Sequence, residues 1–327
     1  MKILINLRST CLLLAALALA FSSAFAAEGG GTAFSKLVVF GDSLNNTGNL
    51  FRLTNGNFPN APDYVNGRQT NGPVWVEYLA DDLGLANRVI NRAVVGALTK
   101  PIFLLAANEI TGNVWSDTFP RLEHTDVFSQ VTHYARDCHG RADPEALYIL
   151  EGGGNDISRV ANPSVIVSNL LDSFLALEKI GAKHILVVNL PDFGKVPAVT
   201  LGMPGSAAAF SALSAQLNQA LAGAVASATG HGVRVTFADL YGFMNKVVLD
   251  PGDFGLIEVQ LPWLLAGGTA DPDTWLFWDL LHPTTRGHEI FSDQVLEELI
   301  KTYGHHLNGF DRDGFPCHRH QLEEGKH

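Results

Sequence analysis

Cysteine is nearly absent from this chain: 3 in 327 residues, at positions 11, 138 and 317. A molecule of this length with at most one cross-link cannot be held together by disulfides, so a buried apolar core has to do it. Basic side chains are also scarce, 22 Lys and Arg against 33 Asp and Glu. That deficit excludes nucleic acid as a partner, because its phosphates would be repelled. It equally excludes electrostatic capture by anionic lipid, while contact through apolar side chains stays open. Long apolar runs are missing as well, apart from one at residues 11–21, so nothing downstream approaches a bilayer-spanning length.

That one run has a specific setting. Lys2 and Arg8 precede it and Ala24-Phe25-Ala26 follows it, the order of a secretory signal peptide over residues 1–26. Cys11 follows Arg8-Ser9-Thr10 and lacks the small and apolar residues that would precede a lipid-modified cysteine. Cleavage after Ala26 removes two basic residues and no acids, which leaves a net charge of −13 and predicts a secreted or periplasmic protein. Only Cys138 and Cys317 then remain. Export permits a disulfide between them, a local clamp on the C-terminal tail, against the alternative of two unpaired thiols.

Apolar β-branched runs alternate with stretches of helical period, the pattern of parallel strands linked by helices. Strands are predicted at 37–40, 88–91, 146–150, 184–189 and 233–238. Helices are predicted at 73–83, 125–135, 163–180, 206–228 and 284–301. This is an α/β chain with five strands in one domain over residues 27–303, without linker or internal repeat. Residues 304–327 form a polar tail with five histidines. Two segments, 98–119 and 251–275, are rich in Gly, Pro, Asn and Trp and read as long loops, which tend to be functional.

Three distant stretches hold the residues that can do chemistry: Phe40-Gly41-Asp42-Ser43-Leu44, Gly153-Gly154-Asn155-Asp156 and Asp279-Leu280-Leu281-His282. They supply a hydroxyl, an amide donor and a carboxylate–imidazole pair, the parts needed for acyl transfer through a serine ester. Ser43 lies just past a strand-ending glycine, at the carboxyl edge of a parallel sheet where open α/β folds bind ligands. A lone serine there would otherwise be a turn or cap residue. The Gly-x-Ser-x-Gly elbow is not matched, since Asn45 occupies the second glycine's place. Asp279 and His282, three apart before Pro283, can form a preassembled base and orienting acid; standing alone they would read as a helix cap and a surface histidine. Asn155 follows three glycines and can donate to an oxyanion, or simply form an Asn-Asp turn. Gly96 can offer a free backbone N–H, or be an ordinary strand-to-loop glycine.

Taken together these blocks resemble the GDSL (SGNH) lipase/esterase family, over residues 36–300. Phe-Gly-Asp-Ser-Leu-Asn-Asn-Thr-Gly-Asn at 40–49 is similar to the family's first block. Asn91-x-Ala93-x-x-Gly96, Gly153-x-Asn155-Asp156 and Asp279-x-x-His282-Pro283 are similar to later ones. Residues 67–75, Gly-Arg-Gln-Thr-Asn-Gly-Pro-Val-Trp, resemble a segment of its plant-type and bacterial lipase branch. The resemblance implies a flavodoxin-like α/β/α fold of three layers around a five-stranded parallel sheet. It implies Ser43 as nucleophile, His282 as base, Asp279 as orienter, and an oxyanion hole from the Ser43 and Gly96 N–H groups and the Asn155 side chain. Two departures stand out: Asn46 where relatives have Asp, which puts a loop hydrogen bond in question, and Val95 where many have glycine, which would narrow the pocket.

No metal or organic cofactor is expected. The expected substrate is a lipid or small acyl ester, in the manner of a lysophospholipase or phospholipase A, with transient membrane or micelle contact. The alternatives are a general short-chain carboxylesterase, a lipid acyltransferase or, in a different class, a non-catalytic secreted binding protein whose tail histidines hold metal. Phe103, Leu104, Leu105, Trp115, Phe119, Trp263, Leu264 and Leu265 are candidates for an acyl site, or for packing beneath their loops.

Overall fold

The computed structural model describes residues 34–59, 62–104, 109–115, 117–118, 120–157, 162–304 and 307. The segment expected to be a signal peptide, nearly all of the tail and Cys317 lie outside the described residues. Cys138 is half-buried just after a helix, its Sγ 3.5 Å from the Ala135 carbonyl oxygen.

Five parallel strands form the central sheet: β1 (Leu37–Phe40), β2 (Val89–Asn91), β5 (Leu147–Leu150), β6 (His184–Val188) and β7 (Arg234–Ala238), in the order β2-β1-β5-β6-β7. Strands buried on both faces must be apolar throughout, as the continuous runs Leu-Val-Val-Phe and Leu-Tyr-Ile-Leu are. Their period-two geometry splits them between two cores. Leu37, Val39, Leu147, Ile149, Leu186 and Val188 face one layer. Val38, Phe40, Tyr148, Leu150, Ile185 and Val187 face the other.

Helices cover both faces. On the first lie α2 (Trp75–Asp82) and α8 (Thr285–Tyr303), packing Trp75, Leu79, Phe291 and Val295 inward. On the second lie α3 (Val127–Asp137), α4 (Pro163–Lys179) and α6 (Ala207–Ala228), with Val131, Phe174 and Leu221. Local chemistry starts these helices where they begin. Asp126 accepts from the Ser129 N–H at 2.8 Å to cap α3, and Pro163 opens α4 behind the Asn162 cap. Thr284 accepts from the Gly287 N–H at 3.0 Å to cap α8, directly after Pro283.

Three short helices were not expected from the periodicity: α1 (Asn49–Leu53), α5 (Pro197–Thr200) and α7 (Leu240–Leu249). The two segments read as long loops contain strands. Residues 98–119 hold most of an antiparallel pair, β3 (Ala97–Leu104) and β4 (Glu109–Asn113). Residues 251–275 hold β8 (Glu258–Pro262), which pairs in parallel with β9 (Trp275–Phe277). Among the described residues no helix is long and apolar enough to cross a membrane.

The strand order places the site. The chain leaves β1 toward β2 on one side and continues from β5 through β6 to β7 on the other. The loops after β1 and β5 therefore diverge and leave a crevice at the carboxyl edge. Ser43 follows β1 and Asn155 follows β5.

Candidate active site

Ser43 sits in a tight turn after β1, where Asn45 N donates to Asp42 O and Asn46 N donates to Ser43 O. The turn is gripped from beneath. Gln130, on α3, accepts from the Gly41 N–H at 2.9 Å and donates through Nε2 to the Gly41 carbonyl at 2.9 Å. Glu151, just past β5, accepts from the Asp42 N–H at 3.3 Å and from Asn45 Nδ2 at 2.7 Å. Gly41 has to be glycine: a Cβ there would stand 2.0 Å from Asn45 Nδ2 and 2.8 Å from Glu151 Oε2.

His282 and Asp279 belong to the loop between β9 and α8. Nδ1 of His282 lies 2.8 and 2.9 Å from the two carboxylate oxygens of Asp279. The same carboxylate accepts from the Leu281 and His282 N–H groups, each at 2.8 Å, so the loop wraps around its own acid. Both side chains are largely buried, 13% and 18% exposed. Burial alone would push Asp279 up, but the imidazole and these donors outweigh it and bring the carboxylate down to about 2. Burial alone would lower His282; the Asp279 charge and hydrogen bond outweigh that and raise it above its ordinary 6.5.

Ser43, Gly96, Asn155 and His282 all line one cavity of about 440 Å³, with Asp279 behind His282. Among the described residues the Ser43 hydroxyl makes no hydrogen bond, and neither does the Gly96 N–H. Gly96 adopts φ +77°, and a Cβ there would lie 2.6 Å from Trp115 Cδ1 and 2.7 Å from Val114 Cγ2. Asn155 donates through Nδ2 to Asp42 Oδ2 and to the Ala97 carbonyl, each at 3.1 Å. This ties its amide to the residue beside Ser43. Next to it, buried Asp156 accepts from the Thr99 N–H and hydroxyl and so fixes the base of the β3–β4 pair. Val95 lines the cavity and packs with Leu50, Val94 and Leu122.

Such a set can deprotonate a hydroxyl, hold the resulting imidazolium against a carboxylate, and offer N–H groups to a developing negative oxygen. Among the described residues no cluster of three or more His, Cys, Asp or Glu could hold a metal ion.

A model of the GDSL-like lipase/acylhydrolase family matches residues 37–295, which contain all five of these positions. The chain belongs to that family. Among GDSL relatives it is 27% identical to a phosphatidylcholine-sterol acyltransferase of Aeromonas hydrophila, over 83% of this chain and 92% of that protein. It is 25% identical to a thermolabile hemolysin of Vibrio parahaemolyticus, over 80% of this chain and 63% of that protein. It is 30% identical to the esterase EstA of Pseudomonas aeruginosa, over 81% of this chain and 47% of that protein. The chain thus spans less than two thirds of the last two relatives.

Three residues of this GDSL site gave no signal in the sequence. Gln130 and Tyr64, which donates to Asp279 at 2.9 Å, reach the site only through tertiary contacts. Glu151 looked like part of a strand-to-glycine junction. The acyl-site expectation also needs correction. Of the large loop residues, Trp115 lines the cavity, but Trp263 stacks on Trp278 at 4.6 Å between ring centroids and Leu265 is exposed. The apolar walls come instead from the α5, α6 and α7 region, through Val199, Phe210, Met244 and Val247. Leu105 and Phe119, and the side chains of Phe103 and Leu104, lie outside the described residues.

Glu151 and Asp42 are both buried and adjacent, so the two cannot both ionise cheaply. Burial raises Asp42 above its ordinary 3.8, with the Leu44 N–H and the nearby His282 opposing it, whereas burial and then the Asp42 charge raise Glu151 well above its ordinary 4.5. Of the two, Glu151 is the carboxyl that keeps its proton to higher pH. A raised folded-state value means the native chain holds a proton that the unfolded chain has released. Stability is then lost as pH climbs from about 4.5 through the folded value. Glu151→Gln should remove that part of the decline, and denaturant melts at pH 5 and pH 8 measure it. An unchanged pH dependence would refute the shared-proton assignment.

Proposed function

We propose that this chain is a secreted serine ester hydrolase that cleaves acyl esters of lipids, with lysophospholipase or phospholipase A chemistry. Ser43 attacks the acyl carbon while His282 takes its proton, and Asp279 holds the imidazole by Nδ1 and stabilises its charge. The Ser43 and Gly96 N–H groups receive the oxyanion, and the Asn155 amide joins them by turning one of its protons away from Asp42 or the Ala97 carbonyl. His282 then protonates the departing alcohol, and water releases the acid from the acyl-enzyme by the same route. Secretion rests on the leader pattern of residues 1–26, and the disulfide of Cys138 with Cys317 is part of the same proposal.

The observation that carries the lipid reading is the cavity. Its volume falls within the ~300–1,000 Å³ typical of sites that bury a small molecule. Beyond the polar groups around Ser43 its walls are apolar: Leu190, Phe193, Val199, Phe243, Met244 and Val247. An extended acyl chain would lie against these side chains, while Gln69 Nε2 and Trp75 Nε1, on residues that also line the cavity, are buried without a hydrogen-bond partner. Leu281 and Met203 line the cavity yet are about half exposed, and Leu280 and Leu201 beside them are exposed too. This apolar surface at the entrance, on an acidic protein, suits transient contact with a micelle or zwitterionic bilayer. The name of one relative agrees, since a phosphatidylcholine-sterol acyltransferase acts on a lipid. The acyltransferase supports a second reading, in which a sterol hydroxyl replaces water in the second half-reaction.

Ser43→Ala should abolish turnover on lysophospholipid, phospholipid and p-nitrophenyl esters alike; wild-type rates in that variant would end the esterase reading. Mass analysis of the products with cholesterol present separates released fatty acid from steryl ester. Because His282 must be neutral to act and is held above its ordinary value, the acid limb of kcat/KM should fall above pH 6.5. A limb at or below that value would contradict the Asp279 pairing. Val247→Phe narrows the apolar wall, so it should cut kcat/KM for palmitoyl esters on the order of tenfold while leaving butyryl esters near wild type. Equal losses on both would place the acyl chain elsewhere.

A further inference from the structure

Residues 63–73 include most of the segment that stood out in the sequence, Gly67 to Trp75, yet none of them enters the proposed chemistry. The structure lays this segment against the acid–base loop. Trp278 donates through Nε1 to the Asp63 carbonyl at 2.9 Å, and Thr70 donates its hydroxyl to the Pro283 carbonyl at 2.8 Å. The Thr285 N–H donates to Asn71 Oδ1 at 2.8 Å, and its hydroxyl to the Pro73 carbonyl at 2.9 Å. The other side of the segment is bound to the serine loop: fully buried Asn46 donates through Nδ2 to the Gly67 carbonyl at 2.8 Å. Arg68 anchors it to α2 by two hydrogen bonds to Glu77, at 2.7 and 2.5 Å. One stretch of chain thus spans from just after Ser43 to just after His282. At its head, the Tyr64 hydroxyl donates to Asp279 Oδ2 at 2.9 Å. Among the described residues this is the only side-chain donor to that carboxylate besides His282.

We propose that Tyr64 is a positioning residue for the Asp279–His282 pair, and that residues 63–73 form a strap holding that pair against the serine loop. The inference rests on the serine-esterase reading above. Asn46 explains why the strap takes hold: its Oδ1 accepts from the Asn49 and Leu50 N–H groups while its amide donates to Gly67. An ionised aspartate in its place has no proton to donate there. Tyr64 fits the role because burial, Asp279 and Asp63 all raise its hydroxyl, so it stays protonated. A donor on Oδ2 draws negative charge away from Nδ1 and loosens the grip of Asp279 on the His282 proton. The other groups facing His282 are Asp42 from the serine loop and His288 from α8, the latter lowered to about 3 by burial and by His282, hence neutral.

The test is steady-state hydrolysis of p-nitrophenyl butyrate across pH by the wild type, Tyr64→Phe, Asp279→Ala and the double variant, with circular dichroism of each. Tyr64→Phe should lower kcat about tenfold at unchanged KM and move the acid limb of kcat/KM upward. In the Asp279→Ala background it should change nothing further, because its partner is gone. Thr70→Val, which removes the Pro283 bond and leaves the carboxylate untouched, should lower kcat without moving the limb. Wild-type kcat and limb in Tyr64→Phe, or an equal loss in the Asp279→Ala background, would overturn the positioning role. Wild-type kcat and melting temperature in Thr70→Val would overturn the strap. If Ser43→Ala and Asp279→Ala both keep full rates, the esterase reading itself fails; if those two are dead and Tyr64→Phe is silent, only the present inference does.

Discussion

The Asp279 carboxylate is bound at once by the His282 imidazole, two backbone N–H groups of its own loop and the Tyr64 hydroxyl. Everything proposed for the site depends on that one buried carboxylate staying ionised and in place. Its loop could not achieve this alone: a carboxylate taken out of water is costly unless nearly every lone pair finds a donor. The loop itself supplies three donors, from Leu281 and His282, and residues 63–73 bring the fourth, the Tyr64 hydroxyl.

The serine loop is built on the opposite electrostatic principle. Beneath it lie two carboxyl groups, Asp42 and Glu151, of which one holds a proton. With its proton on, Glu151 takes up the Asp42 N–H and the Asn45 amide without adding a second buried charge. Gln130 adds a neutral pair of hydrogen bonds to Gly41. The turn carrying Ser43 is therefore held by bonds from Gln130 and Glu151 on elements distant in the chain.

Much of the fold was legible. Apolar runs longer than a solvated strand could tolerate marked β1, β5 and β6, because a parallel sheet buries both faces, and glycines or prolines ended the helices. Less regular elements were not. β3, β4 and β8 lie in stretches whose Gly, Pro, Asn and Trp content reads as loop, although each pairs with the strand next to it in the chain. The short helices α1, α5 and α7 bury too few residues each to leave a period. Ser43, Asp279, His282, Gly96 and Asn155 could be picked out because each belongs to a local block. Tyr64, Gln130 and Glu151 could not, since each acts on a residue far away in sequence.

By itself the sequence determined which side chains are available for chemistry and that alternating strands and helices bring serine and asparagine to one sheet edge. Both follow from local pattern: short motifs and periodicity are written within a few residues. Only the tertiary structure decided which side chains wall the cavity, which of two buried carboxyls is raised further, and what contacts the Asp279–His282 loop. Those properties depend on burial and on contacts between segments up to 215 positions apart, such as Tyr64 with Asp279. No local pattern records such a contact.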